Sequence, residues 1–137
     1  MEVPISPKLD MDALVRVLSE NDSVVFAYIY GSVLAGDGAN DIDIAVFSKT
    51  DSDPNQLSAE LKVSLHKETG LPPDVFDVRI LNAVSEHGDL FGLLYLKQVL
   101  EDGKILVDKD PVDRADFLEK YGFRFRECEG LIQEVLA

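Results

Sequence analysis

Three acidic residues and a glycine–serine pair are the part of this sequence best suited to chemistry. Gly31 and Ser32 directly follow one hydrophobic run of strand length, and Asp41 and Asp43 introduce the next. Side chains alternate along a strand, so the two carboxylates are predicted to point to the same side. A turn of backbone N–H groups facing two carboxylates is suited to holding a metal-bound phosphate.

The third acid is expected on the following strand, where Asp74 and Asp77 are both candidates. They are three residues apart, so they fall on opposite faces of a strand and only one of them can join the pair. We favour Asp77, which lies inside the predicted strand, whereas Asp74 stands at its start beside two prolines. A structural alternative stays open, because Asp77 shares its face with Arg79 and the two side chains could form a simple ion pair.

Three carboxylates on adjacent strands would repel one another unless a cation bound between them. Mg²⁺ is the expected ion, because it prefers a few carboxylates together with phosphate oxygens and water. Two such ions can position a nucleoside triphosphate and stabilise both the attacking and the leaving oxygen. A carboxylate beside the incoming hydroxyl can take its proton. The sequence thus predicts Asp41, Asp43 and Asp77 as metal ligands and catalytic residues.

The elements that must position these residues are predicted from hydrophobic spacing. Helical periodicity follows Asp10, a good N-cap, and the apolar run from Val24 to Tyr30 indicates a strand buried on both faces. The later elements are predicted in this order: a strand at Asp41–Phe47, a helix from Pro54 to Gly70, a strand at Asp74–Leu81, a helix at Leu90–Asp102, an edge strand at Lys104–Val107 and a final helix at about 110–136. This order is typical of an α/β or α+β domain, a small mixed sheet flanked by helices, and we expect a single domain over 1–137.

Composition excludes several classes of function. The formal net charge is −13, and no basic cluster is present in the sequence, so a long nucleic acid is not expected as a partner. A small nucleotide carried with Mg²⁺, or a basic protein, is compatible with this charge. No apolar run approaches the length that crosses a bilayer, and we expect no membrane partner. The one cysteine, Cys128, fits a reducing cytoplasm.

The order of these motifs resembles a known family. Gly-Ser, then Asp-Ile-Asp, then Asp-Val-Arg-Ile-Leu-Asn on successive strands looks like the minimal nucleotidyltransferase (MNT) group of the polymerase-β-like superfamily, and the resemblance covers about 24–107. It implies a polymerase-β-like fold in which Gly31 and Ser32 bind the triphosphate of ATP. It also implies that Asp41, Asp43 and Asp77 form a triad that binds Mg²⁺, with two ions expected.

The resemblance further implies a biological role. Small members of the group are similar to antitoxins encoded beside HEPN-domain toxins, and some of them transfer AMP from ATP to a tyrosine of the toxin. By this resemblance the chain is expected to be a nucleotidyltransferase acting on a hydroxyl of a HEPN-type protein partner in the cytoplasm, with a homo-oligomer possible.

Two other functions stay open at this point. The loop Val33–Asn40 is shorter than is usual in the group, and Ala35 stands where many members have arginine. A non-catalytic protein that neutralises its partner by complex formation would fit these departures. Transfer of a nucleotide to a small molecule is the third possibility, although it usually requires an added substrate domain or a dimer.

Overall fold

The computed structural model describes residues 9–31, 41–82 and 90–136. These ranges contain both helices and strands, and a 3₁₀ turn at Pro73–Val75 precedes the third strand. The elements are α1 (Met11–Glu20), β1 (Val24–Tyr30), β2 (Ile42–Ser48), α2 (Pro54–Thr69), β3 (Phe76–Ile80), α3 (Leu90–Asp102), β4 (Lys104–Asp108) and α4 (Pro111–Leu136). In this part of the chain, no helix combines the length and the apolar character that a membrane crossing requires.

The strands form one mixed sheet in the order β3-β2-β1-β4. Strand β1 is antiparallel to both β2 and β4, whereas β2 and β3 are parallel. The end of β1 and the beginnings of β2 and β3 therefore lie at the same edge of the sheet. That edge carries the residues that the sequence singled out.

One face of the sheet carries a large cluster of buried apolar residues and packs against α1 and α2. Alternation places every second residue of β2 and β3 on this face, and helical spacing supplies the opposing side chains. Its fully buried members include Leu14, Leu18, Ile29, Ile42, Ile44, Leu61, Leu65 and Phe76.

The opposite face is rich in aromatic residues and packs against α3 and α4. The ring of Phe26 is stacked on that of Phe47, with centroids 4.8 Å apart. The Phe26 centroid also lies 5.6 Å from that of Phe117 on α4. An ion pair also fixes α4 to the sheet, since Arg114 Nε lies 2.7 Å from Asp108 Oδ2. The same arginine reaches the hydroxyl of Tyr28 at 3.4 Å.

The helix ends follow the predicted signals. Asp10 caps α1 by accepting a hydrogen bond from the N–H of Ala13, and Asp53 caps α2 in the same way just before Pro54. Helix α2 ends at Gly70, whose φ of +75° favours glycine at this position.

Most of the predicted elements are confirmed, including the burial of β1 on both faces and the edge position of β4. The third strand is the exception, because it was predicted at Asp74–Leu81 and is observed at Phe76–Ile80. Two successive prolines explain the difference. Pro73 begins a 3₁₀ turn that the N–H of Phe76 closes on its carbonyl, so Asp74 lies in this turn and not in the strand.

Candidate active site

The candidate site lies at the sheet edge where β1 ends and β2 and β3 begin. We call its members Gly31, Asp41, Asp43 and Asp77 the acid edge. Asp43 is a register partner of both Tyr30 in β1 and Asp77 in β3, so it occupies the centre of this edge. Asp41 directly precedes β2 and is exposed.

Gly31 allows the chain to leave β1 close to the Asp43 carboxylate. Its φ is +85°, in the left-handed region that favours glycine. A Cβ atom at this position would collide with Oδ2 of Asp43. The close approach of backbone to carboxylate therefore requires a residue without a side chain, and this gives a physical reason for glycine at the start of the turn.

The carboxylates of the acid edge act on one another electrostatically. The pKa of Asp43 is raised above its ordinary value, first because burial penalises its charged form. The charges of Asp77 and Asp41 add to this effect, whereas the charge of Arg79 opposes it. Asp43 thus carries a charge that the surrounding acids disfavour, and a cation bound beside it would relieve this repulsion.

A second group of polar residues lies beside the acid edge on the aromatic face. We call Tyr30, Arg79 and Tyr95 the tyrosine–arginine cluster. The two phenol oxygens are 2.8 Å apart, within hydrogen-bonding distance, and the guanidinium of Arg79 lies 5.1 Å from the centre of the Tyr95 ring. Arg79 also forms an ion pair with the third acid, with Nε 3.6 Å from Oδ2 of Asp77.

Burial sets the protonation of the two phenols. It raises the pKa of Tyr95 far above the ordinary value, and the hydrogen bond with Tyr30 raises it further. Burial also raises the pKa of Tyr30, and the negative charges of Asp43 and Asp77 act in the same direction. Both phenols therefore stay neutral at physiological pH. They serve as hydrogen-bonding and packing groups and not as bases.

The residues present suit a hard divalent cation, although they are not gathered into a finished metal site. Carboxylate oxygens are the ligands that Mg²⁺ prefers, and Asp43 and Asp77 face each other across paired strands. Over the described ranges, no three histidine, cysteine or acidic side chains are close enough to hold one ion. Phosphate oxygens and water would have to complete the coordination, as Mg²⁺ usually requires.

The structure brings together most of the residues predicted from sequence. Asp43 and Asp77 are neighbours and Asp41 is close enough to influence Asp43, while Asp74 lies in the preceding turn. Ser32, predicted to bind phosphate, lies outside the described residues, as do Ala35 and the Val33–Asn40 loop.

Sequence reasoning gave no site role to the tyrosine–arginine cluster. Two of its members carried a usable signal: Tyr30 immediately precedes the glycine turn, and Arg79 follows Asp77 by two residues, on the same face of the strand. Tyr95 carried no such signal, because its place beside Tyr30 depends on how α3 packs against the sheet. The ion pair of Asp77 with Arg79, which the sequence offered as the alternative to metal binding, is present. The same carboxylate is therefore both the partner of Arg79 and a candidate metal ligand.

The sequence profile described as "Polymerase beta, Nucleotidyltransferase" matches residues 12–112. The chain therefore belongs to the polymerase β nucleotidyltransferase family, which confirms the predicted fold class and superfamily. A search among curated proteins found no match.

Solved structures of toxin–antitoxin complexes contain chains of similar fold. A toxin–antitoxin structure with AMP-PNP matches at a TM-score of 0.64 and 24% identity, over 94% of this chain and 100% of the other. A MntA–HepT complex matches at 0.59 and 22%, over 95% and 99%. A complex of the tri-AMPylated HEPN toxin of Shewanella oneidensis with its MNT antitoxin matches at 0.60 and 22%, over 95% and 98%. At these identities the likeness shows the shared fold.

Proposed function

We propose that this protein is a Mg²⁺-dependent nucleotidyltransferase that moves AMP from ATP to a hydroxyl of a HEPN-type protein partner and thereby acts as an antitoxin. The observation that carries the proposal is the pairing of Asp43 with Asp77 beside the close glycine turn, in a chain of this family. The similar folds found with AMP-PNP and with an AMPylated toxin support ATP as the nucleotide and a toxin as the acceptor.

The members of the acid edge would have different roles in the reaction. Asp41, Asp43 and Asp77 would hold Mg²⁺, which when bound neutralises the triphosphate and stabilises the charge that develops on it. Gly31 would let the backbone approach the nucleotide closely, and backbone N–H groups are suited to binding its phosphates. The three acids and Gly31 lie at one edge of the sheet, so a single triphosphate could contact all of them.

The reaction would be an in-line displacement at the α-phosphorus of ATP. The acceptor oxygen forms a bond to this phosphorus, the bond to the bridging oxygen of the leaving pyrophosphate breaks, and the acceptor proton passes to a carboxylate. Asp77 suits the last role because it lies on the outermost strand and its side chain is 46% exposed, which allows access by a protein-borne hydroxyl.

The test is transfer of labelled AMP from ATP to the protein encoded beside this one. Wild-type protein with Mg²⁺ is expected to label the partner, and Asp43→Asn is expected to lower the rate roughly a hundredfold or more, since it removes a charge that holds the metal. Asp74→Asn is the matched control, because this exposed acid lies outside the acid edge, and its rate should equal that of wild type. Absence of transfer by wild type would refute the enzymatic proposal.

A non-catalytic antitoxin is the second candidate. Two observations favour it: the acids of the described residues do not form a three-ligand group, and Ala35 replaces an arginine common in the resembling group. In this case Asp43→Asn would neutralise the toxin as well as wild type does, and no label would reach the partner. Growth of cells that express the toxin with either variant distinguishes the two functions.

A further inference from the structure

Arg79 is placed as a cation within a strongly acidic site. Its charge opposes the raised pKa values of Asp43, Tyr30 and Tyr95, so its field reaches both the acid edge and the tyrosine pair. A bound triphosphate would add several negative charges at this edge. An arginine beside it would be strongly attracted to the phosphates, because guanidinium binds phosphate through a planar fork of N–H groups.

The contact of Arg79 with Asp77 leaves hydrogen-bonding capacity on the guanidinium. The separation of 3.6 Å exceeds a hydrogen bond, and both side chains are about half exposed, at 54% and 46%. An exposed ion pair of this kind contributes little to the free energy of folding. The N–H donors of Arg79 are therefore available to a ligand that approaches the acid edge from solvent.

Tyr95 gives this arginine a fixed position. Its ring lies beneath the guanidinium at 5.1 Å, a distance typical of a cation–π contact. Its hydroxyl is held by that of Tyr30, which is only 5% exposed and belongs to β1, an interior strand of the sheet. The arrangement ties the orientation of Arg79 to the rigid sheet and to helix α3.

We propose that Arg79 is a triphosphate-binding residue of this site and that the ring of Tyr95 holds its guanidinium toward the acid edge. This inference rests on the proposed nucleotidyltransferase function and adds to it a binding residue and the aromatic surface that positions it. Asp77 then has two partners: Arg79 in the free protein, and the metal when nucleotide is bound.

The test measures binding of AMP-PNP with Mg²⁺ to the full chain by calorimetry. Arg79→Ala is expected to raise the dissociation constant about tenfold, which corresponds to ~1.4 kcal/mol, and Arg79→Lys to recover part of the loss. Arg16→Ala is the matched control, since its side chain is 53% exposed and is ion-paired at 3.4 Å to Glu68 on α2. Its affinity should equal that of wild type.

Inorganic triphosphate, used as a second probe, separates phosphate from base recognition. The same tenfold loss is expected with it in Arg79→Ala. A loss seen with AMP-PNP alone would place Arg79 at the base or ribose and overturn the proposal. Equal affinities of wild type and Arg79→Ala for both probes would also overturn it, while leaving the proposed function intact.

Two variants of Tyr95 test whether its ring positions Arg79. Tyr95→Leu removes the aromatic face and should weaken binding of AMP-PNP severalfold. Tyr95→Phe keeps the ring but loses the hydrogen bond with Tyr30, so its loss of affinity should be smaller than that of Tyr95→Leu. Unchanged binding in a folded Tyr95→Leu variant would overturn the role of the ring. Failure of wild type itself to bind AMP-PNP would refute the proposed function, and the present inference with it.

Discussion

The two faces of the sheet are made by the same strands but carry opposite kinds of residue. In β2 and β3, Ile42, Ile44 and Phe76 point to the face covered by α1 and α2, while Asp43 and Asp77 point to the face of α3 and α4. The first face is covered by a large cluster of buried apolar residues. The second combines aromatic packing with three acids, an arginine and a tyrosine pair at one edge.

The two faces together explain how a small domain can contain an electrostatically unfavourable site. Burial disfavours the charge on Asp43, and repulsion from the neighbouring acids adds to this effect. Apolar burial on the opposite face stabilises the sheet on which they stand, at about 25 cal/mol for each Å² of apolar surface removed from water. Substitutions on the apolar face should therefore affect stability, and those on the polar face should affect ligand binding.

The largest effect on stability is expected from Leu61→Ala. Leu61 is fully buried between α2 and the sheet, so its truncation leaves a cavity and should lower the free energy of unfolding by about 2–5 kcal/mol. Val63→Ala on the same helix is the control, since Val63 is 47% exposed, and its effect should stay within about 0.5 kcal/mol. Urea unfolding measures both.

A substitution on the apolar face should leave nucleotide affinity unchanged. At a temperature where Leu61→Ala remains folded, its affinity for Mg²⁺ and AMP-PNP should match that of wild type. A folded Leu61→Ala variant that bound nucleotide tenfold more weakly would contradict the separation of the two faces.

A smaller change in stability, opposite in sign to that of Leu61→Ala, is expected from Asp43→Asn in the absence of Mg²⁺. The folded protein raises the pKa of Asp43 above the ordinary 3.8, so it binds the proton more tightly than the unfolded chain does. The free energy of unfolding must then fall as pH rises from about 3.8 through the raised value. Asp43→Asn removes this fall in the free energy of unfolding, so its melting temperature at neutral pH should exceed that of wild type.

The pH dependence of the melting temperature checks this sign. The Asp43→Asn curve should decline less than the wild-type curve above pH 3.8. Saturating Mg²⁺ and nucleotide should reverse the order, because only wild type keeps the ligand that stabilises the folded state. Identical curves for Asp43→Asn and wild type would mean that neither burial nor the neighbouring acids disfavour the charge on Asp43.

Much of the fold could be predicted because its signals are local. The apolar run of β1, the cap at Asp53 and the glycine at Gly70 each act within a few residues of the element that they define. The start of β3 could not be placed, because Pro73 permits either an extended entry or the first residue of a 3₁₀ turn. Tertiary packing decides between them.

The candidate site divides in the same way. Asp43 and Asp77 could be predicted because strand alternation fixes which way a side chain points, and their order along the chain was informative. The contact between Tyr30 and Tyr95 joins residues 65 positions apart, and its geometry depends on how α3 lies across the sheet. No local pattern specifies that angle, so the position of Arg79 over the Tyr95 ring could only be found in the structure.

Nucleotide binding at the acid edge can be located residue by residue in a backbone amide NMR titration with AMP-PNP and Mg²⁺. The largest shifts are predicted at Gly31, Asp43 and Asp77, with smaller ones at Tyr95. Amides of α1 and α2 on the opposite face should stay unchanged, including those near the acidic cavity of about 240 Å³ that Ser23, Asp53 and Glu60 help to line. Shifts centred on that cavity, with none at Asp43 and Asp77, would contradict the account.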